Sequence, residues 1–198
     1  MNMPGSLSIE RNRVPWSRTV TDGYLSVIAI GILTGIVVAF VRTPMHWPGH
    51  KAILWMAPIL AARLVTRTSA GASIGALATA LTTLSIGGRI AGGIAMMPLV
   101  ILAGIVLDLG VQFCERHKFT GWKAILFLAL AGLAGNLICF VKRLFDPMGA
   151  FFSTGNIEDL FFAGALHAMF GFLAGLLGAT AGYALLNFRP RRKTDSSR

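Results

Sequence analysis

The sequence predicts an all-α, polytopic membrane protein with about six transmembrane helices and both termini in the cytoplasm. Hydrophobic residues make up 55% of the 198 residues and charged residues only 13%, whereas an average soluble domain has roughly 25% charged residues. The charges are also bunched, because five segments of 19, 21, 18, 18 and 29 residues carry none. About 18 apolar residues suffice to cross a bilayer, and a soluble core cannot hold five such segments in so short a chain. These segments are 23–41, 68–88, 90–107, 124–141 and 160–188.

The helices themselves are predicted at about 23–41, 50–65, 70–87, 90–113, 121–144 and 160–187. The second is the shortest, and only 11 uncharged residues separate Lys51 from Arg63. Both cations have long stems that can reach out of the hydrocarbon, so we expect a spanning helix, with a re-entrant or interfacial segment as the alternative. The short connections at 66–69 and 87–89 predict antiparallel neighbours.

The placement of the basic residues sets the predicted orientation. With the N-terminus inside, 13 of the 18 Lys and Arg residues fall on the cytoplasmic side and five on the outer side, as the positive-inside rule expects. Residues 1–22 then form a cytoplasmic tail, 23–187 the transmembrane domain and 188–198 a basic cytoplasmic tail. The net charge of +10 therefore indicates membrane topology beside anionic lipid, and we predict no nucleic-acid partner.

Motifs for catalysis or for nucleotide binding are absent from the sequence. It contains no H-E-x-x-H, G-x-S-x-G or Walker motif, which predicts a protein that is not an enzyme and cannot bind ATP. Cys114 and Cys139 lie 25 residues apart with no spacing typical of a metal site, so both are interpreted as buried bystanders. We predict no cofactor and no metal, and any uptake would draw energy from a partner or an ion gradient.

The outer segment 42–50, RTPMHWPGH, is the least ordinary passage in the chain. It places His46, Trp47 and His50 on a tight turn at the membrane face, with Trp55 about one helical turn deeper. Aromatic rings can stack on a ring-shaped ligand and imidazoles can hydrogen-bond to it, which favours a ligand site. An interfacial aromatic belt with incidental histidines is the alternative. Metal chelation is disfavoured because Pro48 and Gly49 break the helical register between the two histidines.

Three polar residues lie within predicted spans and need a structural or functional reason. Asp108 is expected to form a structural ion pair with Arg63, Arg67 or Arg116, with a proton or cation relay as the alternative. His167 is expected either to bond backbone of a neighbouring helix or to line an outward-facing pocket. Asn136 lies at a similar depth, and a role in bonding one helix to another is at least as well supported there as ligand contact.

Small residues recur on one face of the first helix. Gly31, Gly35 and Ala39 are spaced four apart, which lets another helix approach closely. The pattern suits packing within this chain or docking onto a partner subunit, and both alternatives stay open.

In these features the chain resembles the substrate-binding membrane subunits (S components) of energy-coupling-factor (ECF) transporters, which import vitamins and micronutrients into bacteria. The resemblance covers 23–187 and consists of six helices in a compact chain with basic cytoplasmic ends and no nucleotide site. It implies that Gly31, Gly35 and Ala39 contact the transmembrane coupling subunit, with glycine where the family usually has alanine. It also implies ligand binding under the loop after the first helix. The residues implied there are His46, Trp47 and His50, with Arg89, Asn136 and His167 as walls.

One departure from the family pattern concerns metal substrates. Nickel and cobalt members begin with Met-His at the N-terminus, whereas Met45-His46 is internal here. The resemblance thus implies a vitamin or cofactor precursor as ligand, ATPases as partners, and a location in the bacterial cytoplasmic (inner) membrane. A membrane scaffold or assembly factor acting through helix packing, and a small stand-alone secondary transporter, are the alternatives.

Overall fold

A computed structural model of the chain describes residues 16–41, 47–87, 93–145 and 157–188. Within these ranges all regular secondary structure is helical, and a short 3-10 turn, Gly93–Met96, precedes the fourth helix. The predicted all-α class is confirmed. The six long helices are α1 (Trp16–Phe40), α2 (Lys51–Thr66), α3 (Gly71–Ser85), α4 (Met97–Arg116), α5 (Gly121–Phe145) and α6 (Ile157–Phe188).

Two helix starts differ from the prediction by seven residues. Helix α1 begins at Trp16 rather than at 23. The prediction took the first residue of the charge-free segment as the start, but a helix can begin in water with charged residues and then enter the hydrocarbon. Helix α4 begins at Met97 rather than at 90. Its second residue is Pro98, which fits the first turn of a helix but clashes with a preceding one, so the α-helix starts there.

The helices form a closed ring in the spatial order α1–α3–α4–α5–α6–α2, with α2 packed back against α1. Helix α2 packs beside α3 and α3 beside α4, as predicted. The second connection is longer than the predicted 87–89, since α3 ends at Ser85 and the 3-10 turn begins at Gly93. Because α2 also touches α4 across the ring, it is strongly enclosed, and nine of its 16 residues are buried.

In the part of the chain that the structure describes, four helices are long and apolar enough to cross a membrane: α1, α4, α5 and α6. Helix α3 is apolar but shorter, at 15 residues. Helix α2 has 16 residues and rises about 24 Å at 1.5 Å per residue, less than the roughly 30 Å of a bilayer core. The chain is an integral membrane protein, while a full crossing by α2 and the cytoplasmic placement of both termini stay predictions.

A buried ion pair joins α2 to α4. The Nε of Arg63 donates to Oδ1 of Asp108 at 3.0 Å, and Arg63 is only 1% exposed. The predicted structural ion pair of Asp108 is therefore confirmed, with Arg63 as its partner among the three arginines considered.

Asp108 also caps the start of α3. Its carboxylate accepts hydrogen bonds from the backbone amides of Ala72 and Ser73, at 3.0 and 2.8 Å, and from the Ser73 hydroxyl at 2.6 Å. The first amides of a helix have no partner within it and carry partial positive charge, which suits a carboxylate. One side chain of α4 thus holds α2 and α3 together at the end of the bundle predicted to be cytoplasmic.

Candidate functional site

The turn before α2 lies against α5 and α6, in the half of the bundle predicted to face outward, with Gly49 at the point of contact. This residue has φ +81°, and a Cβ placed on it would lie 2.9 Å from the Cα of His167 and 3.1 Å from Nδ2 of Asn136. Only glycine fits both the left-handed conformation and the available space. The turn before α2 therefore rests directly on α5 and α6. We define Trp47, Gly49, His50, Asn136, Phe140, His167 and Phe170 as the outer cluster.

Asn136 ties three parts of the outer cluster together. Its side-chain amide donates to the carbonyl of His167 in α6 at 2.7 Å and to that of Gly49 at 3.4 Å. Asn136 is buried, and Gly171 leaves room for it, since a Cβ there would lie 2.6 Å from the Asn136 Cβ. Asn136 thus bonds one helix to another, which was one of the two roles considered for it.

The two histidines of the outer cluster are each oriented by a backbone carbonyl. In His50, Nδ1 donates to the carbonyl of Trp47, and in His167, Nδ1 donates to that of Ala163 at 2.8 Å. Within a neutral imidazole this assigns the acceptor role to Nε2. The Nδ1 of His167 therefore bonds a carbonyl of its own helix, while its backbone carbonyl accepts the bond from Asn136 of α5. Both side chains are half-buried.

Aromatic rings surround these histidines. Phe170 lies 6.2 Å from the Trp47 ring and 6.4 Å from the His50 ring, centroid to centroid, and Phe140 lies 5.2 Å from His167. Trp47 keeps 51% of its surface exposed. The outer cluster thus combines aromatic faces, oriented imidazoles and one anchored amide.

The structure brings together four of the seven predicted ligand residues: Trp47, His50, Asn136 and His167. Trp55 is a buried member of the hydrophobic core, with 7% of its surface exposed, and no contact between it and the outer cluster is described. His46 and Arg89 lie outside the described residues. Sequence reasoning missed Phe140 and Phe170, although Phe170 follows His167 by three residues and so shares its helix face.

The small-residue ridge of α1 packs against α3 in this structure. A Cβ on Gly31 would lie 2.6 Å from the carbonyl oxygen of Gly75, and one on Gly35 would lie 2.8 Å from that of Thr79. Both glycines are buried and Ala39 is half-buried. The ridge therefore packs against a helix of the same chain, which was one of the two alternatives for it.

Hydrogen bonds reinforce the same α1–α3 contact. The hydroxyl of Thr79 donates to the carbonyl of Gly31 at 2.9 Å and lies 2.8 Å from the hydroxyl of Thr34, and Thr83 donates to Gly35 at 3.2 Å. Because Gly31 and Gly35 have no side chain, the hydroxyls of Thr79 and Thr83 can reach the backbone carbonyls of α1. The opposite face of α1 carries exposed apolar side chains, namely Leu25, Ile32, Leu33, Ile36 and Phe40.

Comparisons with known proteins give one informative likeness. No protein-family model matches the chain, and no curated protein matches it in sequence. A crystal structure of an S component of an ECF transporter is similar, with a TM-score of 0.55 and 22% sequence identity over 86% of this chain and 85% of that chain. The resemblance predicted from the sequence is thus confirmed in three dimensions. The chain has the fold of an ECF-transporter S component.

Proposed function

We propose that this protein is a membrane-embedded binding subunit that captures a small molecule of the vitamin or cofactor-precursor class for an ATP-driven importer. The observation that carries the proposal is the S-component fold, which extends over 86% of the chain. The protein itself supplies binding rather than catalysis, and partner ATPases supply the energy through a transmembrane coupling subunit. The proposed location is the bacterial cytoplasmic membrane, with the outer cluster facing outward.

The outer cluster has the chemistry that such binding needs. Small-molecule sites are mostly apolar and aromatic, with a few fixed polar groups that orient the ligand. Here the exposed Trp47 offers a ring face, with the buried Phe170 packed beside it. His50 and His167 offer oriented imidazoles, and Asn136 holds the turn in place. In the proposal, His46 and Arg89 add polar contacts from the adjoining loops, and Trp55 supports the site from the core below.

Asp108 favours this proposal over a stand-alone, ion-coupled carrier. It is the one acid within a predicted span, and its described partners are all donors, from Arg63, Ala72 and Ser73. Such a carboxylate anchors helices, whereas a proton relay needs an acid that exchanges protons during transport.

The proposal is tested by analysing what the protein carries when it is purified. The full chain is purified in mild detergent from its native membranes and denatured, and the released small molecules are identified by mass spectrometry. We expect one ring-containing compound in near-stoichiometric amount with the wild-type protein. The growth medium is analysed in parallel to show that vitamins and cofactor precursors are present. If they are present and no compound is enriched with the protein, the result would count against a binding subunit.

Trp47→Ala tests whether the outer cluster holds the ligand. Loss of one stacking face is expected to weaken binding by about 10-fold, since aromatic contacts of this kind contribute about 0.5–1.5 kcal/mol beyond area burial and the buried area adds to that. Isothermal titration with the identified compound measures the change. Trp122→Ala is the matched control, because Trp122 is also exposed, at 68%, but lies at the other end of the bundle. Equal affinities in both variants would contradict this site.

A further inference from the structure

Two basic residues occupy backbone conformations that usually belong to glycine. Among the described residues five have positive φ: three are glycines, and the other two are Arg67, at φ 56°, and Lys118, at φ 53°. A left-handed conformation costs an L-residue energy that glycine avoids. Both cations end a helix at the side predicted to be cytoplasmic, Arg67 after α2 and Lys118 after α4.

The hydrogen bonds at these helix ends require the backbone, not the side chain. After α4, the amide of Phe119 donates to the carbonyl of Cys114 at 2.9 Å and that of Lys118 donates to Glu115 at 3.3 Å, the pattern in which glycine is the commonest left-handed residue. After α2, the amide of Arg67 donates to the carbonyl of Arg63 at 3.0 Å. Glycine would complete both turns at lower conformational cost, so the cations need another reason.

Other exposed cations and an exposed aromatic side chain lie close to Lys118 in the sequence. Arg116 and Lys123 are exposed on either side of the turn, and Trp122 is exposed at the start of α5. The turn is also well ordered by ring stacking, because Phe113 lies 3.9 Å from the His117 ring and 4.7 Å from the Phe127 ring. A fixed turn holds its cations in a constant arrangement.

The ends of α2 and α4 lie side by side, so that Arg67 belongs to the same surface. One turn above Arg67, the NH1 group of Arg63 is 3.8 Å from the Glu115 carboxylate, which is three residues before Lys118. On the predicted topology this surface is where α2 and α4 leave the membrane. It therefore meets the level of the lipid headgroups in the cytoplasmic leaflet.

We propose that Arg67, Arg116, Lys118 and Lys123 form a binding surface for the headgroups of anionic phospholipids. Charge complementarity favours an anionic occupant, and the adjacent Trp122 and Phe113 favour lipid over an acidic protein surface, because Trp is enriched where helices cross the membrane–water interface. This surface is separate from the outer cluster and stands whether or not the protein binds a transported ligand.

The left-handed conformation makes a sharp test available. Substituting glycine at both positions (R67G/K118G) removes two charges and leaves the backbone in a conformation that glycine prefers, so the fold is retained. Unfolding temperatures of the full chain are compared in nanodiscs of phosphatidylcholine alone and of equal parts phosphatidylcholine and phosphatidylglycerol. We expect the stabilisation by phosphatidylglycerol to fall by at least half in the variant, with its stability in phosphatidylcholine equal to wild type or higher.

Lys51→Gln is the control, because Lys51 lies at the opposite end of α2, and it should keep the full effect of phosphatidylglycerol. Two results would overturn the proposal. Phosphatidylglycerol stabilising R67G/K118G as much as wild type would show that these cations do not contact anionic lipid. An equal loss of stability of the variant in both lipids would show that they serve only to offset the negative ends of α2 and α4.

Discussion

In the half of the bundle predicted to face outward, the backbone of Gly49 comes so close to α5 and α6 that a side chain does not fit. Gly49→Ala should destabilise the protein by about 2–4 kcal/mol, because the left-handed conformation costs about 1–2 kcal/mol and the Cβ meets His167 at 2.9 Å. Thermal unfolding in detergent measures the change. Gly87→Ala is a matched control: φ there is +70°, and nothing lies within 4 Å of the added Cβ. If both variants lose the same stability, the close contact with His167 does not contribute to the destabilisation.

Asp108 gives a second prediction for a single residue. Asp108→Leu leaves the buried Arg63 guanidinium and two α3 amides without their partner, and loss of one member of a buried ion pair typically costs about 3–5 kcal/mol. The control is Glu115→Gln, since Glu115 is 58% exposed and 3.8 Å from Arg63, and exposed pairs contribute about 0–1 kcal/mol. Chemical denaturation in mixed micelles compares the two. An Asp108→Leu protein as stable as Glu115→Gln would contradict the anchoring role.

The sequence predicted that Asp108 pairs with a nearby arginine, because a lone carboxylate in a membrane span needs a cation. It could not predict the capping of α3, since that requires knowing how α4 lies against the α2–α3 turn. The same holds for Phe170, whose contacts with Trp47 and His50 link residues more than a hundred positions apart. A polar residue in an apolar segment predicts that it has a hydrogen-bonding or ionic partner, but the tertiary fold determines which residue that partner is.

Among the helices, the α1–α3 contact shows what a small-residue pattern specifies. The spacing of Gly31 and Gly35 correctly indicates a face for close helix packing, but it carries no information on which helix packs there. In the structure that helix is α3, joined by Thr79 and Thr83. A coupling subunit that docks on α1 in this conformation therefore meets its other, apolar face.

Gly31→Ala tests this assignment. The new Cβ would lie 2.6 Å from the Gly75 carbonyl oxygen, so α1 and α3 must separate, and we expect a loss of about 1–3 kcal/mol. Gly164→Ala is the matched control on α6, where the nearest atoms, in Phe140, are 3.5 Å away and alanine raises helix propensity. Unfolding measurements on both variants provide the readout. A stable Gly31→Ala protein that fails to bind its partner would reassign the ridge to an interface between subunits.

Helix positions were predictable because charge-free length and hydrophobicity determine which segments enter a bilayer. The starts of α1 and α4 were not, because the first depends on a helix that extends into water and the second on the first-turn preference of Pro98. The depth of α2 depends on its burial by α1, α3, α4 and α6, which no local pattern encodes.

For the molecule as a whole, the fold and the two ends of the bundle suggest a division of labour. In the proposed function the outer cluster offers aromatic and imidazole groups to a ligand, while the opposite end of the bundle holds α2, α3 and α4 together through Asp108. Because the sequence contains no nucleotide-binding motif, the proposed importer role requires other subunits.

The most direct measurement is therefore a purification of the tagged full chain from its native membranes in gentle detergent, with co-purifying proteins identified by mass spectrometry. An unrelated multi-pass membrane protein carrying the same tag is the control. The proposed function predicts specific recovery of a helical coupling subunit together with ATPases. Recovery of the chain without any ATPase, under conditions that preserve other membrane complexes, would contradict it.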